Sequence, residues 1–172
     1  MYFELITIPC LSDNYAFILY NARNRSALLV DAPEAAPINE TLTKNNLNLE
    51  KIFLTHHHAD HINGLGGILD KHNALTIGAQ ADIHRLPKLD KYVRAGDEFS
   101  FQGQTGKIFD VSGHTIGHIA LYIPAQNILF SGDSLMALGC GRLFEGSAAQ
   151  MWNSLSRLLA LPDTTKICSG HE

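Results

Sequence analysis

Apolar runs separated by turn residues fill the first part of the chain and predict β-strands. The first three runs are Tyr2–Ile8, Asn14–Tyr20 and Ser26–Val30, with Ser, Asp and Asn residues between them. Short runs of this kind predict consecutive antiparallel strands. A helix is predicted to begin at Pro37, because proline suits the first turn of a helix and apolar residues follow it at helical spacing. The run Lys51–Thr55 then predicts a buried strand.

The pattern changes after this strand and then returns to short apolar runs. Apolar residues recur at helical spacing from Asp60 to His72, which predicts a helix that begins at Asp60-His61. Candidate strands follow at Leu75–Ala79, Glu98–Phe101, Lys107–Val111, His118–Ile123, Asn127–Phe130 and Lys166–Ser169. Together these elements predict an α/β fold in which helices cover the outside of two packed mixed sheets.

One late helix has both a start signal and an apolar face. Ser147 and Gln150 form a capping-box pair in front of an apolar pattern, so a helix is predicted over Ala148–Leu159. Met151 and Trp152 of this helix are predicted to belong to the core.

Composition narrows the class of protein. A length of 172 residues with 45% hydrophobic content predicts one globular domain, residues 1–172. The first residues lack a basic start followed by a long apolar stretch, so neither a signal peptide nor a membrane span is expected. The net charge of −4, without a basic run, argues against a nucleic-acid-binding surface. We expect a cytoplasmic monomer that acts on a small molecule and binds neither nucleic acid nor a membrane.

The three cysteines, Cys10, Cys140 and Cys168, match neither a disulfide framework nor a metal knuckle. We expect three reduced thiols. Cys140 is predicted to be a small buried residue in a tight loop and not a catalytic group.

The segment Thr55–His61 directly follows a predicted buried strand and has the pattern H-x-H-x-D-H. Its potential ligands are His56, His58, Asp60 and His61. Imidazole and carboxylate groups suit zinc, iron and manganese, and four of them in six residues cannot all bind one ion without distorting the loop. The motif therefore predicts two adjacent metal ions. His57 is out of phase with its neighbours and is predicted to point away from them.

Three later loops each place a metal-ligand residue after a strand, a small residue and a glycine. These residues are His114, Asp133 and His171. Glycine permits a tight turn and a close backbone approach, so the next side chain can point into a shared cleft. With the first motif they make seven potential ligands, which suits two ions and one bridging carboxylate. His118 begins a strand, and we expect it to support a metal ligand or to form a hydrogen bond in the core.

The order of these motifs resembles the metallo-β-lactamase superfamily and, within it, the glyoxalase II family. The narrower resemblance depends on Ile8-Pro9, Asp13-Asn14-Tyr15, the segment Gly139–Gly146 and the final His171-Glu172. It implies an αββα sandwich with a binuclear metal centre. It also implies hydrolysis of S-(2-hydroxyacyl)glutathione, for example S-D-lactoylglutathione, to glutathione and a 2-hydroxy acid by metal-bound hydroxide, as in methylglyoxal detoxification.

The resemblance also implies a role for individual residues. His56, His58 and His114 would hold one ion, Asp60, His61 and His171 the other, and Asp133 would bridge them. Asp60 and Asp133 would be catalytic as well. Arg142 and Phe144 match positions that contact the glutathione part of the substrate. Zinc is the first choice of metal, and the same ligands accept iron or manganese.

Some residues depart from the pattern of the family. Ser112 stands where the family usually has proline, and Ala32-Pro33 stands where it has proline-glycine. The family also continues past the His-Glu pair, whereas this sequence ends at Glu172, so we expect a truncated chain whose His171 frays unless neighbours or metal hold it.

Two other functions are alternatives to thioester hydrolysis. One is a persulfide dioxygenase with one iron held by two histidines and an aspartate, and the other is a non-catalytic remnant that binds metal.

Overall fold

Two β-sheets packed face to face form the centre of the computed structural model, which describes residues 3–172. The first sheet has six strands in the order of the chain: β1 (Phe3–Cys10), β2 (Asn14–Asn21), β3 (Ser26–Val30), β4 (Asn48–Phe53), β5 (Leu75–Ala79) and β6 (Lys91–Val93). The pairs β1–β2 and β2–β3 are antiparallel, and the remaining pairs are parallel. The sheet is therefore mixed.

The second sheet has five strands and is also mixed. Its strands are β7 (Glu98–Phe101), β8 (Gln104–Asp110), β9 (Ile119–Ile123), β10 (Ile128–Gly132) and β13 (Lys166–Ser169). Their order is β13-β10-β9-β8-β7, and only β10 and β13 are parallel. A separate hairpin consists of β11 (Leu135–Met136) and β12 (Gly139–Cys140).

Four α-helices lie on the outer faces of the two sheets. They are α1 (Ala35–Lys44), α2 (Ala59–Ile62), α3 (Leu65–Leu69) and α4 (Ala148–Leu158), and short 3-10 turns occupy Gln80–Asp82 and Pro124–Gln126. Side chains of β2 alternate between two cores: Ile18 packs under α1 and α3, and Leu19 packs between the sheets. Leu158 of α4 packs on the outer face of the second sheet. The predicted αββα sandwich is confirmed. No helix among residues 3–172 is long and apolar enough to cross a bilayer.

Several predicted boundaries differ from those of the structure. Tyr2, the predicted start of the first strand, lies outside the described residues. The helix predicted from Asp60 to His72 is two short helices, because the Gly64 N–H donates to the Ala32 carbonyl and leaves the helical ladder. The strand Lys91–Val93 and the β11–β12 hairpin were not predicted, since their apolar runs are too short to stand out.

Two burial predictions were wrong. Trp152 is 68% exposed, because α4 turns Met151, Ser154 and Leu158 toward the sheet and leaves Trp152 on its flank. Cys140 is exposed, because it lies in the β11–β12 hairpin at the surface and not inside a packed loop. Met151 is buried as predicted.

Candidate metal centre

Loops that follow β4, β8, β10 and β13 meet at one edge of the sandwich. They bring together all seven potential ligands of the sequence motifs, in three overlapping groups whose ligand atoms lie within 4.8 Å of one another. The first group is His56, His58 and His114, the second is Asp60, His61 and His171, and His56, His61 and Asp133 form a third group that connects these two. Gly132 has a φ of +52° directly before Asp133, a conformation that favours glycine. This turn directs the Asp133 side chain toward the other donors.

The first group consists of three imidazole rings. His114 Nε2 lies 2.9 Å from His58 Nδ1, and the His56 ring centre lies 4.7 Å from that of His58 and 5.0 Å from that of His114. Nitrogens that share one zinc ion at about 2.0–2.1 Å lie within about 4.2 Å of each other. The three rings are therefore close enough to hold a single ion.

The second group combines carboxylates with imidazoles. His171 Nε2 lies 3.3 Å from Asp60 Oδ2 and 3.4 Å from His61 Nε2. Asp133 lies between the two groups, since its Oδ2 is 3.3 Å from both His114 Nε2 and His171 Nε2. This is the position that a bridging carboxylate needs.

The ends of the rings that face away from the centre are held by other groups. His61 Nδ1 lies 2.9 Å from Asp31 Oδ2, and His114 Nδ1 donates to the Arg142 carbonyl at 2.6 Å. Such contacts fix the tautomer and direct Nε2 toward a metal. Within the described chain, His56 Nε2 and Asp133 Oδ1 are buried without a hydrogen-bond partner. Buried polar atoms without partners are rare, so these atoms and the donor set fit bound cations.

The charges at the centre also suit cations. Burial and then the neighbouring imidazoles lower the pKa of His56 well below its usual value. Burial opposes a charge on His61, yet Asp31 and Asp133 raise its pKa to about 10. Hydrogen bonds to Asp133 and Asp60 raise the pKa of His171 to about 10. Without ions, protons on these two rings balance the carboxylates, and metal binding displaces such protons.

His171 is held by neighbouring backbone, as is required of a ligand so near the end of the chain. His171 forms a β-bridge with Asn14, and the Tyr15 N–H donates to the Gly170 carbonyl at 2.7 Å. The Glu172 N–H donates to the Asp13 carbonyl.

A pocket of about 390 Å³ opens over both groups. The Phe144 ring lies 5.3 Å from the rings of His58 and His114, and the Arg142 guanidinium lies 5.1 Å above the Phe144 ring. Phe144 lines the pocket, and both side chains are exposed to solvent. A substrate in the pocket would therefore lie beside the Phe144 ring.

Other residues support this centre from the surrounding shell. Asn14 Nδ2 donates to Asp60 Oδ2 at 2.9 Å, and His118 Nε2 accepts from the Asp133 N–H at 3.0 Å. His57 turns away from the groups and contacts Asp82. Sequence reasoning placed His57 and His118 in this way, but it gave no role to Asp31 or to Asp82. The one signal for Asp31 is its place directly after β3, beside the metal loop.

Comparisons with known proteins agree with the geometry. A family model described as "Metallo-beta-lactamase superfamily" matches residues 14–171. Among solved structures, "BLEG-1 B3 metallo-beta-lactamase" superimposes with a TM-score of 0.91 at 24% identity over 98% of this chain and 92% of that one. "ETHE1 from Myxococcus xanthus" superimposes with a TM-score of 0.82 at 29% identity over 100% of this chain and 76% of that one.

Curated relatives give a narrower match. "Hydroxyacylglutathione hydrolase" of Ruegeria pomeroyi is 54% identical over 98% of this chain and 66% of the relative. The protein of the same name from Fuscovulum blasticum is 51% identical over 100% of this chain and 68% of the relative. The chain spans about two thirds of the length of these relatives. It belongs to the metallo-β-lactamase superfamily and, within it, to the hydroxyacylglutathione hydrolase family.

Proposed function

We propose that this chain hydrolyses S-(2-hydroxyacyl)glutathione thioesters, with S-D-lactoylglutathione as the test substrate, to glutathione and a 2-hydroxy acid. The observation that carries the proposal is the pair of donor groups joined by Asp133 beneath a pocket that Phe144 lines, with the Arg142 guanidinium above the Phe144 ring. The name of the relatives supports the choice of substrate. We propose two divalent ions as cofactors, with zinc preferred to iron or manganese.

The assignment of ligands follows from the grouping of donors. His56, His58 and His114 would hold one ion, and Asp60, His61 and His171 the other, with Asp133 between them. When bound, such ions lower the pKa of coordinated water from 15.7 to roughly 7 and polarise a carbonyl oxygen. No serine or cysteine nucleophile is then needed.

The protein side chains orient the reactants. Asn14 holds the Asp60 carboxylate at the floor of the pocket, where Asp60 can orient the attacking water. Arg142 offers a guanidinium to a glutathione carboxylate, and Phe144 offers an apolar face beside the acyl group. The thiolate leaves without a general acid, since thiols ionise at a pKa near 8.5.

The test is hydrolysis of S-D-lactoylglutathione by the 172-residue chain after loading with zinc, iron or manganese, with bound metal quantified in the same sample. We expect two ions per chain and clear turnover. Asp133→Ala and His58→Ala should each abolish turnover, whereas the exposed control His84→Ala should not. Unchanged turnover in Asp133→Ala would contradict the proposal.

The same experiment separates the alternatives. A persulfide dioxygenase would bind one iron and consume oxygen, whereas seven donors in overlapping groups favour two ions. A non-catalytic remnant would bind two ions without turnover. We further propose that residues 1–172 act as one catalytic domain of a cytoplasmic monomer in methylglyoxal detoxification, without nucleic acid or membrane partners.

A further inference from the structure

An ionic cluster lies beside the metal loop and includes His57 of that loop. It consists of His57, Asp82, Arg85 and Glu145. In the part of the chain that the structure describes, none of these four residues belongs to a group of metal donors. Arg85 Nε donates to Asp82 Oδ1 at 3.1 Å, and Arg85 Nη1 donates to Glu145 Oε1. His57 Nδ1 lies 3.0 Å from Asp82 Oδ2, and its Nε2 lies 3.6 Å from Glu145 Oε1. One guanidinium therefore joins two carboxylates.

The cluster is built into the fold and is not a chance surface pairing. The Asp82 side chain is 0% exposed, and those of Arg85 and Glu145 are 26% exposed. Gly117 makes room for the Asp82 carboxylate, since a Cβ on Gly117 would lie 2.0 Å from Asp82 Oδ1. A buried carboxylate requires partners, and Arg85 supplies a cation that stays charged at neutral pH.

Glu145 transmits this anchoring to the rim of the pocket. Its Oε2 accepts from the Ile116 N–H at 2.8 Å, in the loop that carries His114. The flanking backbone is fixed too: the Phe144 N–H donates to the His114 carbonyl at 3.2 Å, and the Gly146 N–H donates to the Gly113 carbonyl at 3.0 Å. Glu145 therefore adds a side-chain anchor to the two backbone hydrogen bonds beside Phe144.

We propose that Arg85 is a positioning residue for substrate binding: by holding Glu145 against buried Asp82, it fixes the segment 141–146, with Arg142 and Phe144, over the metal centre. This inference rests on the proposed function. Without Arg85, the carboxylates of Asp82 and Glu145 face each other with His57 as their remaining partner in the cluster, so Glu145 would move away and take Phe144 with it. None of the four cluster residues belongs to a donor group among the described residues, so two ions should still bind.

The first test compares Arg85→Ala with Arg94→Ala, an exposed arginine outside the cluster, in the zinc-loaded chain. We expect the KM for S-D-lactoylglutathione to rise about tenfold in Arg85→Ala, with kcat within about threefold of wild type and two ions still bound. Arg85→Lys should restore part of the loss, because lysine keeps the charge but not the planar fork. If these variants are active and the KM of Arg85→Ala equals that of wild type, the positioning role of Arg85 is refuted, while the proposed function stands.

A second test does not depend on turnover. Hydrogen exchange of the Phe144, Gly146 and Ile116 amides should quicken in Arg85→Ala and stay as in wild type in Arg94→Ala. If the wild-type chain shows no hydrolysis, the proposed function fails, and exchange still decides the positioning role.

Glu145→Gln is a second variant for the case in which Arg85→Ala does not fold, because it leaves the buried Asp82–Arg85 pair intact. We expect the same direction of change in KM and exchange, with a smaller size. Amide exchange at the wild-type rate in both Arg85→Ala and Glu145→Gln would overturn the proposal.

Discussion

Asp31 Oδ2 lies 2.9 Å from His61 Nδ1, beneath the second group of metal donors. Asp31 also accepts from the Thr55 N–H and Thr55 Oγ1, each at 2.8 Å, and its backbone adopts a φ of +59°. One carboxylate therefore connects the end of β3 to both ends of the metal loop. It holds the His61 ring so that Nε2 faces Asp133 and His171.

Asp31→Asn should weaken metal binding at the group of Asp60, His61 and His171. Loss of a carboxylate that orients a ligating histidine typically lowers metal affinity by about 10–100-fold. The group of His56, His58 and His114 should keep its affinity. Competition with a chelator, followed by metal analysis, would measure both sites. The exposed control Asp163→Asn should bind like wild type, and two equally tight ions in Asp31→Asn would refute the role of Asp31.

Gly170→Ala should damage the same centre by crowding. A Cβ on Gly170 would lie 2.3 Å from Asp133 Oδ1 and 2.6 Å from His61 Cε1, so both of these donors would have to shift. Gly66→Ala is the matched control, since nothing lies within 4 Å of its Cβ position in α3. We expect Gly170→Ala to lose bound metal, and Gly66→Ala to gain about 0.4–1 kcal/mol of stability. Full metal content in Gly170→Ala would show that the loop can yield.

The convergence of the seven candidate donors could be predicted because each is marked by its local sequence. The four residues of H-x-H-x-D-H follow a buried strand, and the other three follow a glycine at a strand end. Strands of a mixed sandwich end at shared edges, so residues that follow different strands can be predicted to lie close together from local signals alone. The two-sheet architecture was predicted from the short apolar runs that turn residues separate.

The supporting residues could not be predicted because their contacts are long-range. Arg85 meets Glu145 across 60 positions, and Asp82 meets His57 across 25. Nothing in a stretch such as Asp82–Arg85 distinguishes a buried carboxylate from a solvated one. The predicted burial of Trp152 was wrong for a related reason. An apolar face shows which residues a helix can bury, but the neighbouring sheet determines which part of that face is covered.

Ser147→Ala tests a local prediction that the structure confirms. The Ser147 hydroxyl accepts from the Gln150 N–H, and the Gln150 side chain accepts from the Ser147 N–H. Loss of such a cap costs about 0.5–2 kcal/mol. We expect the free energy of unfolding in denaturant to fall by about 1 kcal/mol. Ser156→Ala, at an exposed position within α4, should be neutral or slightly stabilising. Equal stabilities of the two variants would show that the cap contributes nothing.

Thiol reactivity should separate Cys140 from the other two cysteines. Cys140 is exposed, whereas Cys10 and Cys168 are buried. Burial, followed by the charge of Glu34, raises the pKa of Cys10 to about 11, and burial raises the pKa of Cys168 to about 12. A raised pKa keeps these thiols protonated, and the thiolate is the reactive form.

We therefore expect an aromatic disulfide reagent to modify one thiol per folded chain rapidly at neutral pH, and all three after unfolding in denaturant. Cys140→Ser should abolish the rapid phase, whereas Cys168→Ser should leave it unchanged. Moderately alkaline buffer should not recruit the buried thiols, because their thiolates form only toward pH 11 and 12. A rapid phase that survives in Cys140→Ser would mean that one of the two buried cysteines becomes accessible in the folded chain, through opening of the sheet edge on which it lies.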